Sequence, residues 1–303
     1  MKINSIFVVY FTIMNTIASS ELMINGDGSI FHLHLRPEQL ADTVILTGDP
    51  ARAQRISEFF RSVECQHHSR EFLWVTGCYK GVRMTALSTG IGADNIDIVL
   101  NELDALANID LNNRTIKDEH RSLRIVRLGT SGAIQPDIPI GSLISSNISI
   151  GFDGLLNWYA HRDRVTLLDY EEAFVRYMGW SKRLPAPYFA PNAPTLLSLF
   201  APISTFGMTI SAAGFYGPQG RVLRLPLQDP DLLEKIESFR FGTDRICNFE
   251  MEGSAIAGLS ALLGHEALTI CMIIANRYLK QGNTSYITLM DNAIEQVLEI
   301  LSQ

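Results

Sequence analysis

Strand-like runs and helix-period segments take turns along most of this chain, and the joins between them carry Gly, Pro or Asp. The run 43–47 passes through Gly48-Asp49-Pro50 into a helix that includes Ile56, Phe59 and Phe60. The run 82–88 passes through Thr89-Gly90-Ile91-Gly92 into a helix reaching Leu106. Residues 247–254 lead into a small-residue helix over 255–263, and a strand over 267–275 precedes a closing helix over 286–301 with Leu289, Ala293, Val297 and Leu301 on its apolar face. Further helices are expected over 170–178 and 194–200, within the least readable part of the chain. This alternation predicts the α/β class, with a parallel or mixed central β-sheet flanked by helices. At 303 residues, 47% of them hydrophobic, the chain can fill such a core as a single domain.

The rest of the chain reads in the same terms. Residues 30–35 alternate and predict a strand with His32 and His34 on one face, a polar edge rather than a metal site because no third ligand accompanies them. Residues 69–79 and 82–88 predict a hairpin closed at Lys80-Gly81. A polar stretch over 108–122 reads as a surface excursion, and 133–144 as a proline-bent connection into another strand.

Charge and cysteines narrow the function. A net charge of -7 and a pI near 5.5 argue against nucleic acid as the main partner, since no basic stripe stands out to displace its counterions. Cys65, Cys78, Cys247 and Cys271 show neither a CxxC nor a metal spacing, as expected for reduced thiols of a cytoplasmic protein. Lys2 and the apolar run 6–13 resemble a weak secretory signal that is too short to span a membrane. An upstream extension, with translation starting at Met14 or Met23, is the reading preferred here. Residues 1–24 are therefore set aside as a leader or extension, leaving 25–303 as the domain.

The chemistry starts at Arg124-Ile125-Val126-Arg127-Leu128-Gly129-Thr130-Ser131-Gly132-Ala133. Ile125, Val126 and Leu128 suit a buried strand, which the Gly-Thr-Ser-Gly is expected to end in an anion-binding turn of hydroxyls and free N–H groups. Arg127 inside that run must meet either an anion or a structural carboxylate, since a desolvated guanidinium needs one or the other. Gly48-Asp49-Pro50 opens a helix whose first turn holds Arg52 and attracts an anion, although Asp49 alone would be an ordinary N-cap. In 212–221, Phe215, Gln219 and Arg221 combine an aromatic face, an amide and a guanidinium. That kit suits a planar heterocycle, or else forms an ordinary turn. Glu252, in Phe249-Glu250-Met251-Glu252, sits where an acid complements a helix dipole.

Taken in order, Gly48-Asp49-Pro50-x-Arg52, Arg70-Glu71-Phe72, Ser88-Thr89-Gly90-Ile91-Gly92, Arg127 to Gly132, Phe215-Tyr216-x-x-Gln219-x-Arg221, Phe249-Glu250-Met251-Glu252 and Asn276-Arg277 resemble the uridine phosphorylases of the nucleoside phosphorylase family. The resemblance covers about residues 30 to 301. It implies a phosphate site from Gly48, Arg52, Arg127 and Thr130, with Arg70 from a neighbouring subunit. It places the ribose on Met251, Glu252 and the neighbour's His32, and the base on Phe215, Gln219 and Arg221 with Arg277 alongside. The implied reaction is phosphorolysis of uridine to uracil and ribose 1-phosphate, without a cofactor. The implied assembly is a homo-oligomer, at least a dimer and by expectation a hexamer. Relatives can hold a monovalent cation such as K+ at the dimer interface; the matching positions are Glu71, Ile91 and Asn95. Purine-cleaving relatives place an Asp where this chain has Ile274-Ala275-Asn276-Arg277, so a pyrimidine is expected. A broader or purine specificity, and a catalytically silent nucleoside-binding paralogue, are the alternatives.

Overall fold

A computed structural model of the chain describes residues 16–283 and 285–303. The expected leader over 1–15 lies outside the described residues. Its remainder lies against the domain: Thr16 bridges Thr115, the Ile17 N–H donates to the Arg114 carbonyl (2.8 Å), and Leu22 is buried in the main core.

In chain order the strands are β1 (Thr43–Thr47), β2 (Ser62–Ser69), β3 (Phe72–Tyr79), β4 (Val82–Ser88), β5 (Ile109–Asp110), β6 (Thr115–Ile116), β7 (Arg124–Ala133), β8 (Leu143–Gly151), β9 (Tyr188–Pro191), β10 (Thr205–Ser211), β11 (Arg240–Phe241), β12 (Asp244–Glu250), β13 (Glu266–Asn276) and β14 (Gln281–Gly282). The α-helices are α1 (Pro50–Ser57), α2 (Ala93–Asn108), α3 (Leu168–Met178), α4 (Pro194–Phe200), α5 (Leu232–Ser238), α6 (Gly253–Leu263) and α7 (Ile287–Leu301). All strands but β5 and β6 join one mixed sheet, ordered β11-β12-β10-β8-β13-β7-β1-β4-β3-β2, with β9 added to β8 and β14 to β13. The end of β12 also pairs antiparallel with β7 through Asn248 to Ala133 and Phe249 to Gly132. Strands β7, β13, β8, β10 and β12 therefore close on themselves.

Helices cover both faces, which is why β1 is buried at every position and reads as a continuous apolar run. On one face Ile125 packs with Ile96 and Leu100 of α2 and Ile256 and Leu259 of α6. On the other, Val126 and Leu128 pack with Ile56 of α1, Leu196 and Phe200 of α4, and Val297 and Leu298 of α7. Alternation along β7 thus turns Arg127 toward the face of Ile125, where α6 begins. No helix among the described residues is long and apolar enough to cross a membrane.

Several elements depart from expectation. The Gly-Thr-Ser-Gly does not end the strand: β7 continues through Ala133, paired with β13, so its N–H groups serve the ladder instead of a turn. Residues 30–35 form no strand. The Ile30 N–H donates to the Leu35 carbonyl and the His34 N–H to the Ile30 carbonyl, closing a turn with His34 at φ 49°. Leu33 and Leu35 still enter the core, and the two histidines part: His32 meets Glu102, whereas His34 stacks on His67 at 5.1 Å. The hairpin gains a third strand, β2, an exposed edge whose Glu64, Gln66, His67 and His68 give no apolar alternation to read. Leu289 is partly exposed, because Met290, Ile294 and Leu298 join Ala293, Val297 and Leu301 as the face of α7 that reaches the core.

Candidate active site

The C-terminal ends of β1, β7, β12 and β13, with the loop after β10, enclose a cavity of about 290 Å³. Its lining brings together Gly48, Arg52, Arg127, Thr130, Phe215, Gln219, Arg221, Met251 and Glu252 of the residues expected from sequence.

Two strands and a helix start bring Arg52 and Arg127 to the cavity. Asp49 accepts from the Ala51 N–H (3.0 Å) as N-cap of α1, Pro50 follows at the first helical position, and Arg52 then faces the cavity, donating to Thr47 Oγ1 (3.0 Å). Burial holds the Arg52 guanidinium below its ordinary value; Tyr286 and Asp49 pull against that, while the nearby charge of Arg127 adds to it. Gly48 packs tightly against Gly90, since a Cβ there would lie 3.3 Å from the Gly90 carbonyl oxygen. Thr130 lines the cavity, but Ser131 Oγ is tied to Asn248 Nδ2 (2.8 Å).

Arg127 is nearly inaccessible and, of the two partners expected for it, meets structural carboxylates, two of them, while also lining the cavity. Its Nη1 lies 3.2 Å from Glu250 Oε2, its Nη2 donates to Glu252, and its Nε is buried with no acceptor among the described residues. Burial opposes its charge, yet Glu252 and Glu250 outweigh burial and raise its pKa above the ordinary guanidinium range. Burial and the neighbouring Glu250 raise Glu252, against the pull of Arg127. Beneath them the Cys271 thiol is pushed up to about 12, chiefly by burial.

Glu250 is the residue that sequence reasoning missed. It accepts from Ser211 Oγ and from the N–H groups of Glu252 and Gly253, so it satisfies the start of α6 and fixes Glu252 over the cavity. The available signal was Glu-x-Glu directly before a small-residue helix. The carboxylate of Glu252 also accepts from the Gly92 N–H (2.8 Å).

In the loop after β10, Arg221 Nη1 donates to the Phe215 carbonyl (2.6 Å) and to Gln219 Oε1, and its guanidinium lies 3.9 Å from the Phe215 ring centroid. Gln219 is buried with its amide oxygen so engaged, which leaves its NH2 as the free donor. Arg277 does not line the cavity; it donates to the carbonyls of Gln219 and Gly220 and holds the loop from behind. Burial, with Arg221 close by, lowers it to about 10. Ile274 and Ala275 also line the cavity, and Asn276 points away to the carbonyls of Gln135 and Ile138.

His32 and Arg70 are not brought to the cavity of their own chain. The His32 ring lies 2.6 Å from Glu102, and Arg70 is exposed at the β2–β3 turn with φ 54°. Glu71 and Asn95 do converge, over Gly90 and beside Ile91: a Cβ on Gly90 would lie 2.3 Å from Asn95 Nδ2 and 2.9 Å from Glu71 Cγ. Among the described residues the cluster with metal-ligand spacing is elsewhere, at Asp104, His120 and His265, next to the N-terminal ends of β7 and β13. There His265 Nδ1 accepts from the Leu123 N–H (3.2 Å), while its Nε2, 3.3 Å from Asp104, is buried without a hydrogen-bond partner among the described residues.

Comparison with known proteins shows the family. The sequence pattern of the Phosphorylase superfamily matches residues 42–302. The fold superposes on the crystal structure of a Trypanosoma brucei nucleoside phosphorylase, described as showing uridine phosphorylase activity, with a TM-score of 0.84 and 30% identity over 92% of this chain and 99% of that one. A uridine phosphorylase of Thermococcus kodakarensis is 28% identical over 86% of this chain and 82% of its own length. A DeoD-type purine nucleoside phosphorylase of Tolumonas auensis is 26% identical over 89% and 95%. With the pattern running from the first strand to the end of the closing helix, and Arg52, Arg127 and Arg221 within it meeting in one cavity, this chain belongs to the phosphorylase superfamily.

Proposed function

We propose that this chain is a uridine phosphorylase, transferring the ribosyl group of uridine to inorganic phosphate. The observation that carries the reading is the company these residues keep in one cavity: Arg52 near Arg127, Arg127 paired with Glu252, and Arg221 joined to Gln219 and Phe215, with Thr130 and Met251 in the same lining. A phosphate oxygen attacks the anomeric carbon, the glycosidic C–N bond breaks, and its electron pair leaves with the pyrimidine. Arginines position the nucleophile, and Arg221 stabilises the departing anion, so neither a covalent intermediate nor a cofactor is required. Where β13 reaches the cavity the lining is Ile274 and Ala275, with no acid, which favours a pyrimidine over a purine that needs protonation. The purine and uridine enzymes among the relatives make inosine the competing substrate to test.

The active unit is at least a dimer, in which the partner subunit's Arg70 completes the phosphate site and the partner subunit's His32 reaches the sugar. Support comes from the placement of both residues away from their own cavity, Arg70 on an exposed turn. Glu71, Asn95 and the Ile91 carbonyl form the seat of a monovalent cation at that contact; replacing K+ by a bulky organic cation lowers the melting temperature if so. The four free cysteines suit a cytoplasmic enzyme.

The test is release of uracil from uridine with and without phosphate, and with inosine in place of uridine. Arg127→Ala strands two buried carboxylates and costs about 3–5 kcal/mol of stability on that account. Arg52→Ala is therefore the cleaner variant, since no carboxylate among the described residues pairs with Arg52. Its kcat/KM for phosphate should fall by about 10²–10³-fold. Uracil release without phosphate, or inosine cleaved faster than uridine, refutes the proposal.

A further inference from the structure

The two carboxylates beside Arg127 are not equivalent. Glu250 is filled by Ser211 Oγ and by the N–H groups of Glu252 and Gly253, and it holds the Nη1 side of the fork together with Cys271 Sγ (3.6 Å). Glu252 has fewer donors: besides Arg127 Nη2, it accepts from the Gly92 N–H. It is also the carboxylate toward which sugar hydroxyls are directed in the proposed reaction. Arg127 in turn keeps one donor, Nε, without an acceptor among the described residues. An anion settling beside Arg52 and Thr130 needs the Nε and Nη2 edge of Arg127, and a sugar diol needs the lone pairs of Glu252. One ion pair stands in the way of both.

We propose that the Arg127–Glu252 pair is a switch shared by the two substrates, with Glu250 holding the other side of the guanidinium in place. Sugar hydroxyls that donate to Glu252 loosen its hold on Nη2, which turns with Nε to the anion. An anion on that edge of Arg127 frees Glu252 for the sugar. The two ligands consequently bind with positive coupling, and the coupling is equal in both directions. The identity of the sugar ligand rests on the uridine reading; the anion half does not.

Titration calorimetry with uridine and sulfate tests this, because sulfate is an unreactive stand-in for phosphate and neither ligand turns over. Each is titrated with and without a saturating amount of the other. In the native enzyme each should tighten the other by the same factor, about tenfold. Glu252→Gln keeps the size of the side chain and an oxygen for Gly92. It should bring the factor to about one and make sulfate alone bind more tightly. Glu252→Asp, with its carboxylate drawn back from Nη2, should give an intermediate factor. A factor of one in the native enzyme overturns the switch, and so does a factor unchanged in Glu252→Gln. If uridine fails to bind, the substrate assignment has failed, and the sulfate arm still decides: sulfate binding that is not tightened by Glu252→Gln refutes the switch.

Discussion

Gly129 carries a severe packing demand at the active site. It lies in β7, paired with Cys271 of β13, and the Arg127 guanidinium is laid across it. A Cβ at this position would fall 2.1 Å from Nη1, 2.8 Å from Cζ and 3.0 Å from Nη2. Carbon and nitrogen atoms in ordinary contact stand about 3.5 Å apart, so Gly129→Ala must drive the guanidinium away by about 1 Å. The backbone has little freedom to yield, because β13 pairs with β7 along nearly its whole length. The guanidinium therefore leaves its seat between Glu250 and Glu252. A displacement of that size in a positioning group costs about 10²-fold in rate, equivalent to about 2.7 kcal/mol. The assay is uracil release followed by absorbance at varied phosphate, with melting temperatures to confirm folding. The expected result is a kcat/KM for phosphate reduced about 100-fold. A folded Gly129→Ala enzyme within about threefold of the parent would show that Arg127 does not need its observed position.

Other consequences are open to measurement. Arg277→Ala removes the donors that hold the Gln219 and Gly220 carbonyls, so KM for uridine should rise about tenfold while KM for phosphate stays put; steady-state kinetics in both substrates separates the two. Mixing Arg70→Ala with Arg52→Ala subunits should restore activity toward about a quarter of the native level, since random dimers contain intact shared sites, whereas no recovery excludes a shared site. Phe174→Ala removes a fully buried ring packed on Phe152, Phe189 and Phe239, and denaturant unfolding should report a loss of about 3–5 kcal/mol. The Ser29 hydroxyl and N–H, with Arg36 adding, hold the Asp27 carboxyl at about 2, below its ordinary 3.8. Its contribution is complete above the ordinary value and is lost as the pH falls toward 2. Asp27→Asn should accordingly melt below the parent at neutral pH and with it near pH 2.

How much the sequence disclosed depended on whether a feature was local. Helix starts such as Asp49-Pro50 and apolar runs such as 43–47 were legible because capping and burial act within a few residues. An arginine between apolar strand residues announced a buried cation for the same reason. The polar edge strand β2 was not legible, since what makes it a strand is its partner β3. Nor was the turn at residues 30–35, whose shape depends on Glu102 of α2 accepting the N–H groups of His32 and Leu33.

By itself the sequence determined the class of fold, and its resemblance to a family named the residues to look for. Only the tertiary structure decided that Arg127 is shared between Glu250 and Glu252, that Gly129 exists to seat it, that Arg277 supports the base loop from behind, and that His32 and Arg70 lie away from their own cavity. These are distances between residues far apart in the chain, and they arise when β12 closes onto β7 and brings the start of α6 over the arginine.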